Sequence, residues 1–295
     1  MTAQLEGLVL KGIGGFYTVL SEGGARQTLR AQSKLRRQKL KPMVGDHIRF
    51  EPAAEGEEGW MVAILPRKNS LLRPPVSNID VAVLVVAAAS PDPDLLLLDR
   101  MLVAARQAGI SPVVAVNKRD LAPERADGIL AACRGAADGA FAVCARSGEG
   151  INALRDALQG SVHALAGQSG AGKSTLINAL YGLTLATGQV SRIERGRHTT
   201  RHSELIALPG GGMVLDTPGF SLLESDLIEP IHLKEYYPEF APFEGECRFN
   251  PCAHASEPGC AVRDAVGRGE IDAGRHERYR QLLEEMTKRW KERYD

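Results

Sequence analysis

Apolar and polar positions alternate in short runs over the first 66 residues, which predicts strands at 5–11, 16–20, 27–31, 46–51 and 60–65. Glycine-rich turns at 12–15, 22–24 and 56–59 separate several of them. So many short strands in so little chain predict a small closed barrel, with the OB-fold as the nearest type. The proline-bearing stretch 66–75 reads as a linker. Beyond it the period changes. A continuous apolar run, 79–89, suits a buried strand, and strands follow at 112–116, 140–145 and 161–166. Helical patterns lie between and after them at 94–109, with Asp94 near its start, and at 123–135, 151–158 and 173–181. Such alternation predicts a mainly parallel sheet covered by helices. A short strand at 213–215 follows a glycine turn, an irregular acidic stretch fills 224–246, and a last helix near 275–294 spaces Tyr279, Leu282, Leu283, Met286 and Trp290 along one side. Packing is the better reading of that stripe, while Arg275, Arg278, Arg280, Lys288, Arg289, Lys291 and Arg293 offer a basic face to RNA. Three domains are expected: 1–66, 67–223 and 224–295.

Composition changes this picture only locally. The 295 residues carry no formal net charge, so polyanion binding must come from patches. One exists on the expected barrel: Arg26, Arg30, Lys34, Arg36, Arg37, Lys39 and Lys41 occur without an intervening acid. On such a scaffold it points to RNA phosphates. No apolar run is long enough to span a membrane, and no leader pattern opens the chain. Five cysteines, an odd number, point to a reducing cytoplasmic setting rather than a disulfide framework.

The chemistry lies in a few motifs. Gly167, Gln168, Ser169, Gly170, Ala171, Gly172, Lys173 and Ser174, followed by Thr175, fit a phosphate-binding loop between strand and helix. Backbone N–H groups would turn inward around the β-phosphate, Lys173 would meet the β- and γ-phosphates, and the Ser174 hydroxyl would ligate Mg²⁺. Asp216-Thr-Pro-Gly219 follows a strand; Asp216 would act through an Mg²⁺-bound water, and Gly219 would sense the γ-phosphate. Thr199 and Thr200 lie between the two motifs, where a switch threonine closes over Mg²⁺. Asn117-Lys-Arg-Asp120 ends an apolar strand: Asn117 would support the loop and touch guanine N7, the Lys118 stem would cover the base, and Asp120 would accept from N1–H and the 2-amino group, which adenine does not offer. Cys144 and Ala145 stand where a backbone N–H meets guanine O6, so a cysteine there is expected to matter little. The base reader precedes the phosphate loop, a cyclic rotation of the usual order that a parallel sheet tolerates. In this order the segment after Asp216 leads directly into the C-terminal region.

With GQSGAGKSTLIN, GRHTTRH, DTPGF and the cysteine cluster below, nearly the whole chain resembles the circularly permuted, small-ribosomal-subunit-dependent GTPases of the RsgA/YjeQ type. The resemblance implies an OB-fold, an α/β P-loop GTPase domain and a zinc domain. It also implies GTP hydrolysis stimulated by the 30S subunit and a role in late maturation of that subunit. Its 16S rRNA is an expected partner, and a monomer away from membranes is expected. Cys247, Cys252, His254 and Cys260 form a tetrahedral Zn²⁺ set with no open position, expected to hold a segment with little core of its own. Phe220 replaces the glutamine that often orients the attacking water, so slow intrinsic hydrolysis is expected, with His198 as the polar substitute. Gly170 leaves no sequence basis for a K⁺ site. A small-molecule P-loop kinase would leave Asn117 to Asp120 unexplained, and an RNA-binding scaffold with an inert G domain is the remaining alternative.

Overall fold

A computed structural model describes residues 4–52, 58–72, 74–183, 203–216 and 228–292. The expected barrel forms from β1 (Leu5–Ile13), β2 (Phe16–Ser21), β3 (Arg26–Ala31), β4 (His47–Glu51) and β5 (Gly59–Ile64). The order β1-β2-β3-β5-β4 closes through a β1–β4 pairing, with β3 and β5 parallel. Alternate strand positions point inward, so Val9, Val19, Leu29, Ile48, Phe50 and Met61 fill the interior. A single helical turn, α1 (Ser33–Arg37), was not foreseen in its basic run; it brings Leu35 onto that core.

The stretch read as a linker is structured. β6 (Ser70–Leu72) and β7 (Pro75–Ser77) form a hairpin against the barrel. Ser77 Oγ donates to the buried Asp46 carboxylate at 2.6 Å, and Arg67 Nε donates to the same group at 2.7 Å. A carboxylate removed from water needs such partners, and here they tie the hairpin to β4.

The mainly parallel sheet has the order β10 (Gly139–Ala142), β9 (Ser111–Asn117), β8 (Val81–Ala87), β11 (Val162–Gly167), β13 (Met213–Asp216), β12 (Glu204–Ala207). Only β12, a strand the sequence did not disclose, runs antiparallel. The apolar run of β8 is continuous because both faces are covered. Ala82, Leu84 and Val86 pack with α2 (Leu95–Gln107) and α3 (Pro123–Ala132), whereas Val83, Val85 and Ala87 pack with α4 (Ile151–Ala157) and α5 (Lys173–Tyr181). Asp94 caps α2, accepting from Leu97 N–H at 2.8 Å. β12 also pairs with β1, so barrel and parallel sheet form one eleven-stranded sheet.

The C-terminal segment has more core than its sequence suggests. Tyr237, Phe240, Val262, Ile271, Tyr279 and Leu282 are buried together and include Val103 of α2. They come from two 3₁₀ turns at Pro230–Tyr236 and Pro238–Phe243 with Tyr237 between them, from α6 (Ala261–Gly267), from α7 (Ala273–Lys291), and, for Ile271, from the joint between these helices. Arg275 does not face solvent: it is 2 % exposed, and its Nη1 donates to the buried Asp99 of α2 at 2.5 Å. Arg278 Nε donates to the other Asp99 oxygen at 2.6 Å. The expected basic outer face of α7 therefore lacks these two arginines.

Candidate functional site

The order of the parallel sheet reverses between β8 and β11, and ligands of open α/β sheets bind beyond the strand ends at such a point. The C-terminal ends of β9, β11 and β13 lead into the Asn117 motif, the glycine loop and Asp216 respectively. The loop needs its glycines for specific reasons. A Cβ on Gly167, at φ +144, would lie 2.1 Å from the Val85 carbonyl oxygen; one on Gly172, at φ +95, would lie 2.5 Å from Asn117 Nδ2.

Asn117 is buried and joins three segments. Its Nδ2 donates to the Ala171 carbonyl at 2.9 Å, and its Oδ1 accepts from Ala145 N–H at 3.1 Å. The Ala145 donor, expected to serve a base oxygen, thus serves Asn117 here. Lys118 extends to the phosphate loop, where its Nζ donates to Gly170 O at 2.9 Å and to the carbonyl of Ser90 beyond β8. Ser90 was missed because no local pattern marks it; β8 simply ends between the two motifs. Asp120 is exposed, and Cys144 Sγ donates to its Oδ1 at 3.1 Å. The cysteine side chain therefore makes a contact of its own beside the expected backbone donor. A thiol retains the donor function a serine hydroxyl would supply.

Lys173 Nζ donates to the carbonyls of Gly167 at 2.7 Å and Gln168 at 3.0 Å, and burial lowers its pKa. Ser174 and Thr175 sit in the first turn of α5, so their N–H groups share the positive end of the helix. Below the loop, the fully buried His163 links β11 to the far end of α5. Its Nε2 lies 2.7 Å from Tyr181 Oη and its Nδ1 3.1 Å from Ser161 Oγ. Ser161 Oγ donates onward to Leu158 O at 2.7 Å, which makes Nδ1 the protonated nitrogen and Tyr181 the donor to Nε2. Burial pushes this imidazole down to about 4.

Burial raises the pKa of Asp216, Glu204 raises it further, and Lys11 partly offsets both. Gly219 lies outside the described residues, as do His198, Thr199, Thr200 and Phe220.

The second cluster has the donor set to hold a metal ion. The ligand atoms of Cys247, Cys252, His254 and Cys260 all lie within 4.8 Å of one another. His254 Nδ1 is 3.5 Å from Cys247 Sγ and 3.4 Å from Cys260 Sγ. Its Nε2 faces Glu244 Oε1 at 3.4 Å, so the carboxylate turns Nδ1 toward the sulfurs. Glu257 gathers the backbone N–H groups of Ala253, Ala255 and Ser256 at 2.7, 2.9 and 3.0 Å. From α7, His276 Nε2 holds His254 O at 2.8 Å and Tyr279 Oη donates to Ala253 O at 2.5 Å. Glu244 and Glu257 escaped sequence reasoning because acids around cysteines are common and only geometry gives them a task.

A family model described as RsgA GTPase matches residues 64–226, and one described as RsgA N-terminal domain matches residues 6–61. A small ribosomal subunit biogenesis GTPase RsgA from Caldanaerobacter subterraneus subsp. tengcongensis is 42% identical over 294 residues, covering 99% of each chain. That of Geobacillus thermodenitrificans is 44% identical over 295 residues, covering 98% of this chain and 99% of its own. Among solved structures, YjeQ from Thermotoga maritima superposes with a TM-score of 0.84 at 34% identity, over 97% of this chain and 99% of the other. YloQ, described as a circularly permuted GTPase, gives 0.81 at 32% identity, over 97% and 96%.

Proposed function

This chain belongs to the RsgA family of GTPases, and from that premise we propose that it binds the small ribosomal subunit, hydrolyses GTP in response, and acts late in the subunit's maturation. The chain is a GTP hydrolase by family. The observation that carries the site assignment is Asn117: its amide joins the base-reading segment to a phosphate loop 54 residues further along the chain. Two motifs in rotated order thereby face one nucleotide. In this reading Asp120 recognises N1–H and the 2-amino group of guanine, oriented by Cys144. Lys118 covers the base, and residues 167–175 hold the phosphates.

The remaining roles follow from donor chemistry. The Ser174 hydroxyl and the Asp216 carboxylate are hard oxygen donors, which suits Mg²⁺. That ion would neutralise charge on the β- and γ-phosphates when bound. Lys173 holds the same phosphates as a point charge. Thr199 or Thr200 would close over the cation, Gly219 would report the γ-phosphate, and His198 would orient water. The Cys₃His set suits one structural Zn²⁺, with every position taken by protein. The barrel (1–66), GTPase domain (67–223) and zinc-binding domain (224–295) divide the work.

RNA contact by the barrel is supported by an exposed row on adjacent strands. Phe16, Arg30 and Trp60 are registered opposite one another on β2, β3 and β5. The Arg30 guanidinium lies 4.3 Å from the Phe16 ring centroid. Arg26, Lys34, Arg37, Lys39 and Lys41 are exposed nearby in sequence. Aromatic faces stack on unpaired bases while cations hold phosphates. 16S rRNA is the partner this chemistry fits, met by a single copy of the chain.

GTP turnover measured with and without purified 30S subunits tests the whole reading. Stimulation at subunit concentrations near the chain's own is expected. Absence of turnover under both conditions would leave an RNA-binding scaffold, and ATP competing equally with GTP would favour a metabolic kinase. Trp60→Ala combined with Arg30→Ala should weaken subunit binding about tenfold or more while unstimulated turnover stays unchanged.

A further inference from the structure

The seam between barrel and parallel sheet contains a row of charge. Lys11 of β1 stands opposite Glu204 of β12, and Glu204 stands opposite Asp216 of β13. Residues directly opposite in paired strands project from the same face, so the three side chains lie in line across three strands. The Lys11 ammonium pairs with the Glu204 carboxylate, both about one-third exposed. Two carboxylates placed opposite each other repel, and the cation at the end of the row offsets that repulsion.

We propose that Lys11, a barrel residue, is a positioning residue for the nucleotide site: by pairing with Glu204 it sets the negative charge surrounding Asp216, and so the affinity of the site for its divalent cation. The inference rests on the GTPase reading above and extends it to a residue from another domain. Lys11 acts through Glu204 and touches neither nucleotide nor cation. Because β1 belongs to the barrel wall, any load that draws β1 from β12 also frees Glu204 beside Asp216.

The competing view is that the pair merely fastens two domains. The two views differ in sign. A fastening role makes loss of either partner loosen the seam and shift cation affinity the same way. A charge role makes the two losses opposite. The measurement is the Mg²⁺ concentration that half-saturates binding of a fluorescent GTP analogue to the full-length protein. Lys11→Met should lower it about threefold, Glu204→Gln should raise it about threefold, and the double variant should return close to wild type, the pattern expected of unit charges in a partly solvated site. Fluorescent GDP binding without Mg²⁺ and the circular dichroism spectrum control for folding. Lys11→Gln replaces Lys11→Met should the latter fail to fold, since the comparison of signs needs one variant at each position. Shifts in one direction for both variants, or none for either, overturn the proposal while leaving the GTPase reading intact. A wild-type protein whose binding ignored Mg²⁺ would overturn both.

Discussion

At residue scale, two contacts alter what the motifs alone convey. The Cys144 thiol donates to the Asp120 carboxylate, the group proposed to distinguish guanine from adenine. Cys144→Ser keeps a donor and should bind GDP as well as wild type. Cys144→Ala should bind about fivefold more weakly, the effect of about 1 kcal/mol for a weak donor to a charged acceptor. Equal titration curves for the alanine and serine variants would show that the contact does nothing. His163 gives a pH signature. Its folded pKa is depressed to about 4 by burial, against an ordinary 6.5. Between those values the unfolded chain takes up a proton that the folded one does not. Stability therefore falls as pH drops from about 6.5 to about 4, by roughly 1.4 kcal/mol per unit for this group, and its contribution levels off below. Denaturant unfolding at stepped pH should show a flatter decline through that window for His163→Asn, even though the variant starts less stable at pH 7. Parallel declines would remove His163 as the cause.

At element scale, the structure corrects the idea that the cysteine loop is nearly coreless. Zinc would still organise residues 247–260, whose backbone is held mainly by Glu257, His276 and Tyr279. The rings of Tyr237, Phe240 and Tyr279 also pack on one another, in the same core as Cys252 and Cys260. One zinc per chain is expected by elemental analysis, lost in Cys252→Ser. Its removal should lower the melting temperature of the C-terminal region by several degrees or more. Nucleotide affinity should remain within about twofold, because Cys252 and Cys260 pack into the C-terminal core, which includes no residue of 167–175. Metal-free protein melting identically to the native form would contradict this. The elements that were legible are those with strong periodic patterns. β8 could be read from its apolar run, and α2 from its stripe and Asp94 cap. α1, the β6–β7 hairpin and β12 were not legible. Each is short, and each owes its conformation to a neighbour: the barrel floor, Asp46 and β13 respectively.

At the scale of the whole molecule, the C-terminal helix is locked to the G domain by charge. Asp99 accepts from Arg275 and Arg278, and Arg275 also pairs with Glu239 and lies 4.4 Å over the Tyr237 ring. Removing one member leaves buried charge uncompensated, so Asp99→Ala should destabilise the protein by about 3–5 kcal/mol. Chemical denaturation of full-length protein measures this, and a loss below about 1 kcal/mol would refute the lock. The C-terminal unit and α2 accordingly form one body. The segment after Asp216 therefore leads into a unit fastened to α2 rather than a freely hinged one. Among the described residues no helix is long and apolar enough to cross a membrane.

The sequence by itself determined the phosphate-loop and Asn117–Asp120 patterns, their rotated order, the three cysteines and one histidine of residues 247–260 and the strand–helix alternation. Such features depend on residue type at fixed local spacing, and backbone geometry converts spacing directly into shape. Tertiary structure alone decided that Asn117 links its own motif to the glycine loop, that Glu244 turns His254 toward the sulfurs, and that Lys11 reaches the row containing Asp216. Those are pairings between segments far apart in the chain. Their energies arise from burial and charge at contact, which no local pattern encodes.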